Sequence, residues 1–311
     1  MFFTESTMLN NGVIYEYMSA SNPYMSPIPV LTHSYKLHST GETRIIPFDL
    51  KDILNTKYPA TSPNLLVSFI RIKKNESLSI VPNGTSHAFF IINGCGKCYI
   101  HNYDDIRWEK GDLFAIPMAS KIKFESFDED SAIYYFNDEP LMNYLNVTPY
   151  VSSFFPVMFK SKAMIQEVQH IRDSDCGRKN RIGILLGNKE TDILENNGTG
   201  TLTLTPILWS LLNILPANSV QKPHRHNSVA LDLCVYATTN KEVYTEMGKE
   251  LDKEGRVKDP IRCYWETGSV FLTPPGWWHS HHNESNEDAW VLPVQDAGLY
   301  TYQRTLNIEY A

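Results

Sequence analysis

The sequence predicts an all-β protein made of two tandem β-barrels of the jelly-roll type. Two observations support this prediction. Short runs rich in β-branched and aromatic residues are separated by Gly, Asn, Asp and Pro, which is typical of antiparallel sandwiches and barrels. In addition, a pattern of turn residues found in residues 75–122 recurs in residues 218–283, which indicates a duplicated domain.

Composition limits the classes of function. The chain has 311 residues, of which 42% are hydrophobic and 20% charged, so it can bury one large core or two ordinary ones. The net charge is −7 and no basic run occurs, so we expect no nucleic-acid partner. Apolar runs are strand-sized and no signal peptide is evident, so we expect a cytoplasmic protein without a membrane partner. Five scattered cysteines are expected to be reduced thiols: Cys95, Cys98, Cys176, Cys234 and Cys263.

Three segments are predicted along the chain. Residues 1–30 are polar and Pro-rich and predict an irregular arm. The first barrel is predicted over residues 31–145, with strands at 65–72, 88–92, 97–101, 112–116 and 132–136. A short helix is predicted at 140–145.

The second barrel is predicted over residues 146–311. Residues 161–169 form either a helix or a strand, and the charged residues 239–259 predict a long hairpin loop. The predicted strands lie at 181–186, 201–205, 208–215, 229–236, 261–266, 269–273 and 289–293.

Three histidines form the strongest functional pattern. His224 and His226 are one residue apart, and side chains alternate along a strand, so both imidazoles point to the same face. Arg225 between them points away, where we expect an ion pair. His279 follows the turn at Pro274–Gly276 and can complete a set of three. Imidazole suits Fe, Zn, Cu and Ni, and three protein ligands leave positions open for water, substrate or O₂.

The first half keeps the turn frame but lacks these ligands. Val81, Asn83 and Ile122 stand where the histidines stand in the second half. We therefore predict a first barrel without metal ligands, followed by a metal-binding second barrel.

These spacings resemble the cupin superfamily. Residues 268–283 fit its second motif, G(x)5PxG(x)2H(x)3N, at every defined position. Residues 218–226 fit the first motif, G(x)5HxH, with Asn218 in place of the glycine, but Ala230 and Leu231 occupy the place of the motif's Glu. The resemblance implies a bicupin, which is a pair of double-stranded β-helix barrels, with a three-histidine site in the second.

Among bicupins, the second half resembles the gentisate and salicylate dioxygenases. The matching stretches are residues 181–188, 224–233, 273–283 and 290–296. The resemblance implies a non-haem Fe(II) dioxygenase that brings O₂ to a small aromatic substrate with hydroxyl or amino groups, and a homo-oligomer, either dimer or tetramer. One departure is that the working metal of that family usually lies in the N-terminal cupin.

The resemblance also assigns residues to a substrate pocket. Arg181, Trp209 and Asn213 fall in matched stretches or at matched pocket positions. His281 shares the strand face of the third ligand and would handle a proton as a catalytic residue, or is a surface histidine. Trp278 is either barrel core or an aromatic wall of the pocket, and we predict that it contacts substrate.

Asp232 departs from that family. It stands where the family has an Arg that binds the substrate carboxylate, and it lies six residues after His226, so it can face inward. A buried carboxylate without a partner is costly. Three explanations are open: Asp232 pairs with Arg181, binds a cationic or amino-bearing substrate, or is exposed because the strand register differs.

Two other classes of function are open. The same ligands suit a Zn, Mn or Ni cupin that acts as a lyase, isomerase or hydrolase without O₂. A non-catalytic bicupin that binds a small molecule is the third possibility.

Overall fold

The computed structural model describes residues 11–119, 121–174, 181–194 and 197–311. Strands dominate it and form two tandem barrels, which confirms the all-β prediction. Cys176 and the first ten residues of the predicted arm lie outside the described residues. The other four cysteines are free thiols, three of them buried.

In chain order the strands are β1 (Leu31–His33), β2 (Arg44–Pro47), β3 (Leu66–Ile72), β4 (Ser77–Ile80), β5 (Ser86–Asn93), β6 (Gly96–Ile100), β7 (Ile106–Trp108), β8 (Leu113–Pro117), β9 (Ile122–Ser126), β10 (Ser131–Asn137), β11 (Val157–Phe159), β12 (Ile182–Leu186), β13 (Trp209–Leu215), β14 (Ser219–Val220), β15 (His224–His226), β16 (Ala230–Tyr236), β17 (Val243–Gly248), β18 (Ile261–Tyr264), β19 (Val270–Thr273), β20 (Trp278–Asn283), β21 (Ala289–Gln295) and β22 (Ile308–Tyr310). The helices are α1 (Tyr17–Ala20), α2 (Lys36–Ser39), α3 (Lys51–Leu54), α4 (Glu139–Leu145), α5 (Ser161–Asp173) and α6 (Ala297–Gln303). The predicted short helix is thus present as α4, and α5 shows that residues 161–169 are helical. None of these described helices is long and apolar enough to cross a membrane.

Each barrel consists of two facing antiparallel sheets. In the first barrel, the sheet β11-β8-β5-β10-β3-β2 faces the sheet β4-β9-β6-β7. In the second, β1-β19-β16-β21-β13-β12 faces β18-β17-β20-β15-β22, and β14 pairs with β20. β1 pairs with β19 of the second barrel, while β11 pairs with β8 of the first. Each of these two strands therefore pairs with the barrel other than the one whose predicted range contains it, and the boundaries at residues 30 and 145 stay predictions.

The sheets that contain β3 and β16 pack against each other between the barrels. One apolar cluster contains Phe69 and Phe90 from the first barrel together with Leu212 and Leu231 from the second. The hydroxyl of Tyr134 donates to the carbonyl oxygen of Leu231 at 3.0 Å, which joins the two barrels directly. Because these sheets bury both faces, β3, β5 and β10 are nearly continuous apolar runs rather than alternating ones.

The repeated turn residues adopt the same backbone conformation in both halves. Asn75 and Asn218 have φ of 60° and 51°, and Gly111 and Gly268 have φ of 83° and 82°. Asn tolerates this left-handed region better than most residues, so Asn218 can replace the glycine of the motif. The duplication inferred from sequence is therefore visible in the backbone.

Apolar side chains fill the interior of the first barrel. Ile122, which stands where His279 stands in the second half, is fully buried in a cluster with Phe89 and Phe124. Val81, which stands in place of the first histidine, is 77% exposed. Of these two positions, only that of Ile122 contributes packing to the first barrel.

Two predictions about local structure are wrong. Residues 201–205 form no strand, because the Thr203 hydroxyl bonds to the Thr201 hydroxyl at 2.9 Å and to the Thr205 carbonyl at 2.7 Å, which replaces strand pairing. Residues 239–259 are not a continuous loop, because they contain β17, which pairs with β18 and β20. Many of the charges that suggested a loop follow this strand.

Candidate metal centre

The pairing of β15 with β20 brings the three predicted ligands together. His224 pairs directly with His279, and His226 follows on the same face of β15. All three side chains are buried, and one nitrogen of each lies within 4.8 Å of those of the other two. Within the described ranges, this is the one group of His, Cys, Asp or Glu side chains arranged to hold a metal ion.

Hydrogen bonds orient the rings for metal binding. Nδ1–H of His226 donates to the carbonyl oxygen of Ser228 at 2.8 Å, and Nδ1–H of His279 donates to that of Trp277 at 3.0 Å. A carbonyl only accepts, so Nε2 of each ring keeps a lone pair. Nδ1 of His224 is buried without a hydrogen-bond partner. The protein donors near these nitrogens are distant, with Nη1 of Arg181 at 3.5 Å from Nε2 of His224 and Nε2 of Gln295 at 3.5 Å from Nε2 of His226. Three buried imidazoles that each offer a nitrogen lone pair fit a transition-metal ion.

Burial keeps these imidazoles neutral. It lowers the pKa of His226 to about 4. It also lowers the pKa of His224 and His279 well below the usual value for histidine, and the neighbouring imidazoles add to this effect. Neutral imidazole is the form that binds a metal, so no proton has to be displaced at neutral pH.

The side chains between the ligands point away from the centre. Nη2 of Arg225 forms the expected ion pair, with Oε2 of Glu309 on β22 at 2.6 Å. The Arg225 guanidinium also lies 4.8 Å from the ring centroid of Trp278. Trp278 is therefore on the outer side of β20, and its predicted contact with substrate is wrong because it lies one residue before an inward ligand.

A cavity of about 300 Å³ opens on the three histidines. This volume lies at the lower end of small-molecule sites, so one small ring is a suitable occupant. The predicted pocket and catalytic residues that line it are Arg181, Trp209, Asn213, Asp232 and His281. The other lining residues include apolar and aromatic side chains such as Leu211, Trp265, Val291, Pro293, Ile308 and Tyr310.

His281 is held by a hydrogen-bond chain. Nε1–H of Trp265 donates to the Thr245 hydroxyl oxygen at 2.8 Å, and that hydroxyl lies 2.8 Å from Nδ1 of His281. The hydroxyl then has its own hydrogen to donate to Nδ1, which leaves the ring proton on Nε2. Burial lowers the pKa of His281 to about 3, so the ring is neutral. Thr245 could not be recognised from the sequence, because it lies in the segment predicted as a loop.

Asp232 and Arg181 do not pair. Asp232 is 2% exposed, and its Oδ1 has no hydrogen-bond partner. Arg181 lies instead 5.1 Å from the ring centroid of Tyr310, with Nη1 at 3.5 Å from Nε2 of His224. Two of the three explanations for Asp232, pairing with Arg181 and exposure, are therefore wrong. Burial raises the pKa of Asp232 to about 8.

β22 forms a wall of the cavity that the sequence did not reveal. It pairs with β15, with Tyr310 opposite His224, and the two rings are nearly parallel with centroids 6.1 Å apart. Ile308 lies on the same face. A three-residue strand more than 80 residues from its partner has too weak a pattern to be recognised beforehand.

The lack of a side chain at Gly183 leaves room for the Asn213 side chain in the cavity. The two residues pair between β12 and β13, and a Cβ on Gly183 would lie 1.8 Å from Oδ1 of Asn213. We expect Gly183→Ala to displace the Asn213 side chain and to lower the free energy of unfolding by about 1–3 kcal/mol. Gly187→Ala is the matched control, because the nearest atoms to its added Cβ lie at 3.8 Å. Urea denaturation that finds the two variants equally stable would contradict this role.

Comparison with known proteins finds likeness in structure but not in sequence. No family model and no curated protein matches the chain. Its structure is similar to the salicylate 1,2-dioxygenase of Pseudaminobacter salicylatoxidans, with a TM-score of 0.73 and 12% identity over 98% of this chain and 96% of that one. A structure of that dioxygenase as adducts with gentisate gives a TM-score of 0.72 and 12% identity over 98% and 92%. A cupin 2 barrel domain protein from Leptotrichia buccalis gives 0.50 and 14% over 88% and 100%.

These likenesses define the class of fold. The chain is a bicupin in architecture, with two tandem cupin barrels, as the motif spacings predicted. Within that class it resembles the salicylate 1,2-dioxygenases along nearly its whole length. An identity of 12% carries the fold alone, so the activity has to be argued from the site.

Proposed function

We propose that the protein is a non-haem Fe(II)-dependent dioxygenase that acts on a small aromatic substrate carrying hydroxyl or amino groups. The observation that carries this proposal is the set of three buried imidazoles that opens on a cavity of about 300 Å³. Three protein ligands leave positions open beside a metal, as a reaction centre requires. The likeness in fold to a dioxygenase solved with gentisate supports an aromatic substrate and O₂ as partners.

In this proposal the three histidines bind the metal and the aromatic residues of the cavity bind the substrate. His224, His226 and His279 would hold the iron, which supplies the one-electron chemistry that a closed-shell aromatic needs in order to react with O₂. Trp209 and Trp265 line the cavity with rings that exclude water and can stack on a substrate. Fixing the ring beside the metal removes much of the entropic cost of the encounter.

His281 would position and donate a proton. Its Nδ1 is occupied by the Thr245 hydroxyl, so Nε2–H is the atom left to face a bound molecule. A neutral imidazole with its proton on Nε2 donates a hydrogen bond to a substrate oxygen and stabilises negative charge that develops there.

Removing the Thr245 hydroxyl tests this role of His281. We expect Thr245→Val to lower turnover by about tenfold to a hundredfold, because the His281 ring loses the partner that fixes its orientation and proton. Metal content should not change, since Thr245 contacts none of the three ligands. The matched control is Thr273→Val, a buried threonine whose hydroxyl contacts only the Met247 sulfur at 3.7 Å. Equal turnover in the two variants would exclude a positioning role for Thr245.

The proposed activity is tested by metal analysis and oxygen uptake. Protein purified without O₂ should contain iron and, when air is admitted, should consume O₂ in the presence of a phenol or aminophenol. Redox-inert zinc with an O₂-independent reaction would instead favour a Zn, Mn or Ni lyase, isomerase or hydrolase. Tight binding of the aromatic without any turnover would favour a non-catalytic binder.

We also propose that the chain forms a homo-oligomer, a dimer or tetramer, through its arm. The arm residues that the structure describes expose large apolar side chains, including Ile14, Tyr17, Met18, Tyr24 and Met25. Light scattering on the full chain should give a multiple of 35.6 kDa, and an Ile14→Ser/Tyr24→Ser variant should shift toward monomer. A monomeric parent protein would contradict this proposal.

A further inference from the structure

Asp232 has no hydrogen-bond donor from the protein. It is the one acidic residue among the described residues that line the cavity. On β16 it lies between Phe271 of β19 and Pro293 of β21, its paired neighbours on the same face of the sheet. Neither a phenyl ring nor a pyrrolidine ring can donate a hydrogen bond. The lack of a partner for Oδ1 therefore follows from the residues placed beside it.

The cations and imidazoles of the cavity are engaged elsewhere. Arg181 lies over Tyr310 and close to His224, and it makes no ion pair with Asp232. The imidazole of His281 is bonded to the Thr245 hydroxyl through Nδ1, and the other three imidazoles of the cavity lie together as the candidate metal ligands. An unpartnered buried carboxyl destabilises the fold, and such groups concentrate at functional sites. The missing donor is best supplied by a bound molecule.

We propose that Asp232 determines substrate specificity by accepting the N–H hydrogens of an amino group, so that the cavity selects small aromatic amines over hydroxybenzoates. This inference rests on the proposed function, because it concerns the substrate of the same site. An amino group offers donors to a carboxyl that lacks them. A substrate carboxylate placed there would find no donor except the carboxyl's own proton, and wherever that proton is lost it would meet a group of the same charge. The cavity volume of about 300 Å³ suits a single ring with small substituents.

Binding to zinc-loaded protein tests the inference without turnover. The probes are the three aminophenol isomers, the three dihydroxybenzenes and the three monohydroxybenzoates, each measured by calorimetry without O₂. The three isomers of each set place the second substituent at every position relative to the hydroxyl group. The sets differ only in whether that substituent is an amino group, a hydroxyl group or a carboxylate. We expect at least one aminophenol to bind at least about tenfold more tightly than the hydroxybenzoate of the same substitution pattern. The dihydroxybenzene, whose second O–H can also donate to the carboxyl, should bind more tightly than that hydroxybenzoate too.

Asp232→Asn should abolish this preference. The variant keeps the size of the side chain and replaces the carboxyl with an amide, whose N–H groups can donate to a substrate carboxylate. We expect it to bind the selected aminophenol and the matching hydroxybenzoate within about threefold of each other. Asp296→Asn is the control, because Asp296 is also a buried carboxyl but its oxygens accept from Asn64 and Val229 outside the cavity lining. That control should keep the preference of the parent protein.

The outcomes separate this inference from the proposed function. Tighter binding of hydroxybenzoates, or a preference for aminophenols that Asp232→Asn leaves unchanged, would overturn the role of Asp232. Oxygen uptake with hydroxybenzoates alone would also overturn it, while the dioxygenase proposal would stand. A preference that depends on Asp232 in a protein that consumes no O₂ would support the inference and contradict the dioxygenase.

Discussion

His224→Ala is expected to remove both the bound metal and the activity. His224 supplies one of only three protein ligands, and its pairing with His279 sets the spacing of the centre. Changing a residue that merely supports a metal ligand already costs about tenfold to a hundredfold in affinity or activity. Loss of a ligand should therefore lower turnover by more than about a hundredfold. Elemental analysis and oxygen uptake on the same preparation measure both effects.

His282→Gln is the matched control for this experiment. His282 lies on β20 near two of the cavity histidines, but it points outward, where its ring stacks on Tyr244 with centroids 4.8 Å apart. Its replacement should leave metal content and turnover close to those of the parent protein. A His224→Ala protein that retains metal and turnover would show that the three imidazoles are not the reaction centre.

Asp232→Asn is expected to stabilise the protein in the absence of substrate, and to do so more strongly as the pH rises. Burial raises the pKa of Asp232 from 3.8 to about 8. Between these values the unfolded chain has lost the proton and the folded chain keeps it, so the Asp232 carboxyl makes the protein less stable with each unit of pH. An amide does not titrate, so the variant escapes this loss.

The size of the effect follows from the shift in pKa. A shift from 3.8 to about 8 corresponds to an upper limit of about 6 kcal/mol, and we expect the gain in free energy of unfolding to grow by about 3–5 kcal/mol between pH 4 and pH 8. Urea denaturation of metal-free protein across this range measures it. In Asp296→Asn the pH-dependent change should end near pH 6, because burial raises the pKa of Asp296 only to about 6. A gain for Asp232→Asn that does not vary with pH would show that the carboxyl is not held in its protonated form.

Such a gain in stability would distinguish Asp232 from the buried carboxyl groups that stabilise the fold. Asp138 and Asp296 are buried too, but each accepts hydrogen bonds from backbone N–H groups, Asp138 from Thr85 and Ser86 and Asp296 from Val229. Asp232 lowers stability without such compensation. A group of that kind is consistent with binding rather than folding.

Local rules predicted the ligand set because they depend on short spacings. The alternation of side chains along a strand places His224 and His226 on one face whatever surrounds them. The turn frame likewise depends on residues such as Asn218 and Gly268, whose positive φ is a local property. Both signals are complete within a few residues, so a single sequence contains them.

Residues near the cavity were missed where their positions depend on pairing between strands far apart in the chain. Thr245 reaches His281 only because β17 pairs with β20, and Tyr310 reaches the cavity only because β22 pairs with β15. The prediction for Trp278 is wrong for a local reason instead, because alternation from His279 turns its side chain outward, against Arg225. Pairing between distant strands is set by the packing of the whole barrel, which short patterns do not encode.

The sequence by itself determined the two-barrel architecture, the loss of ligands from the first barrel's turn frame and the identity of the three histidines, because period-two alternation and turn conformation are local. Only the tertiary structure decided whether the Asp232 carboxyl has a partner. Its isolation depends on Phe271 and Pro293 from two other strands and on Arg181 lying elsewhere in the cavity. Whether a buried charge is paired is a property of three-dimensional neighbours, and the neighbours of Asp232 come from positions up to 61 residues away in the chain.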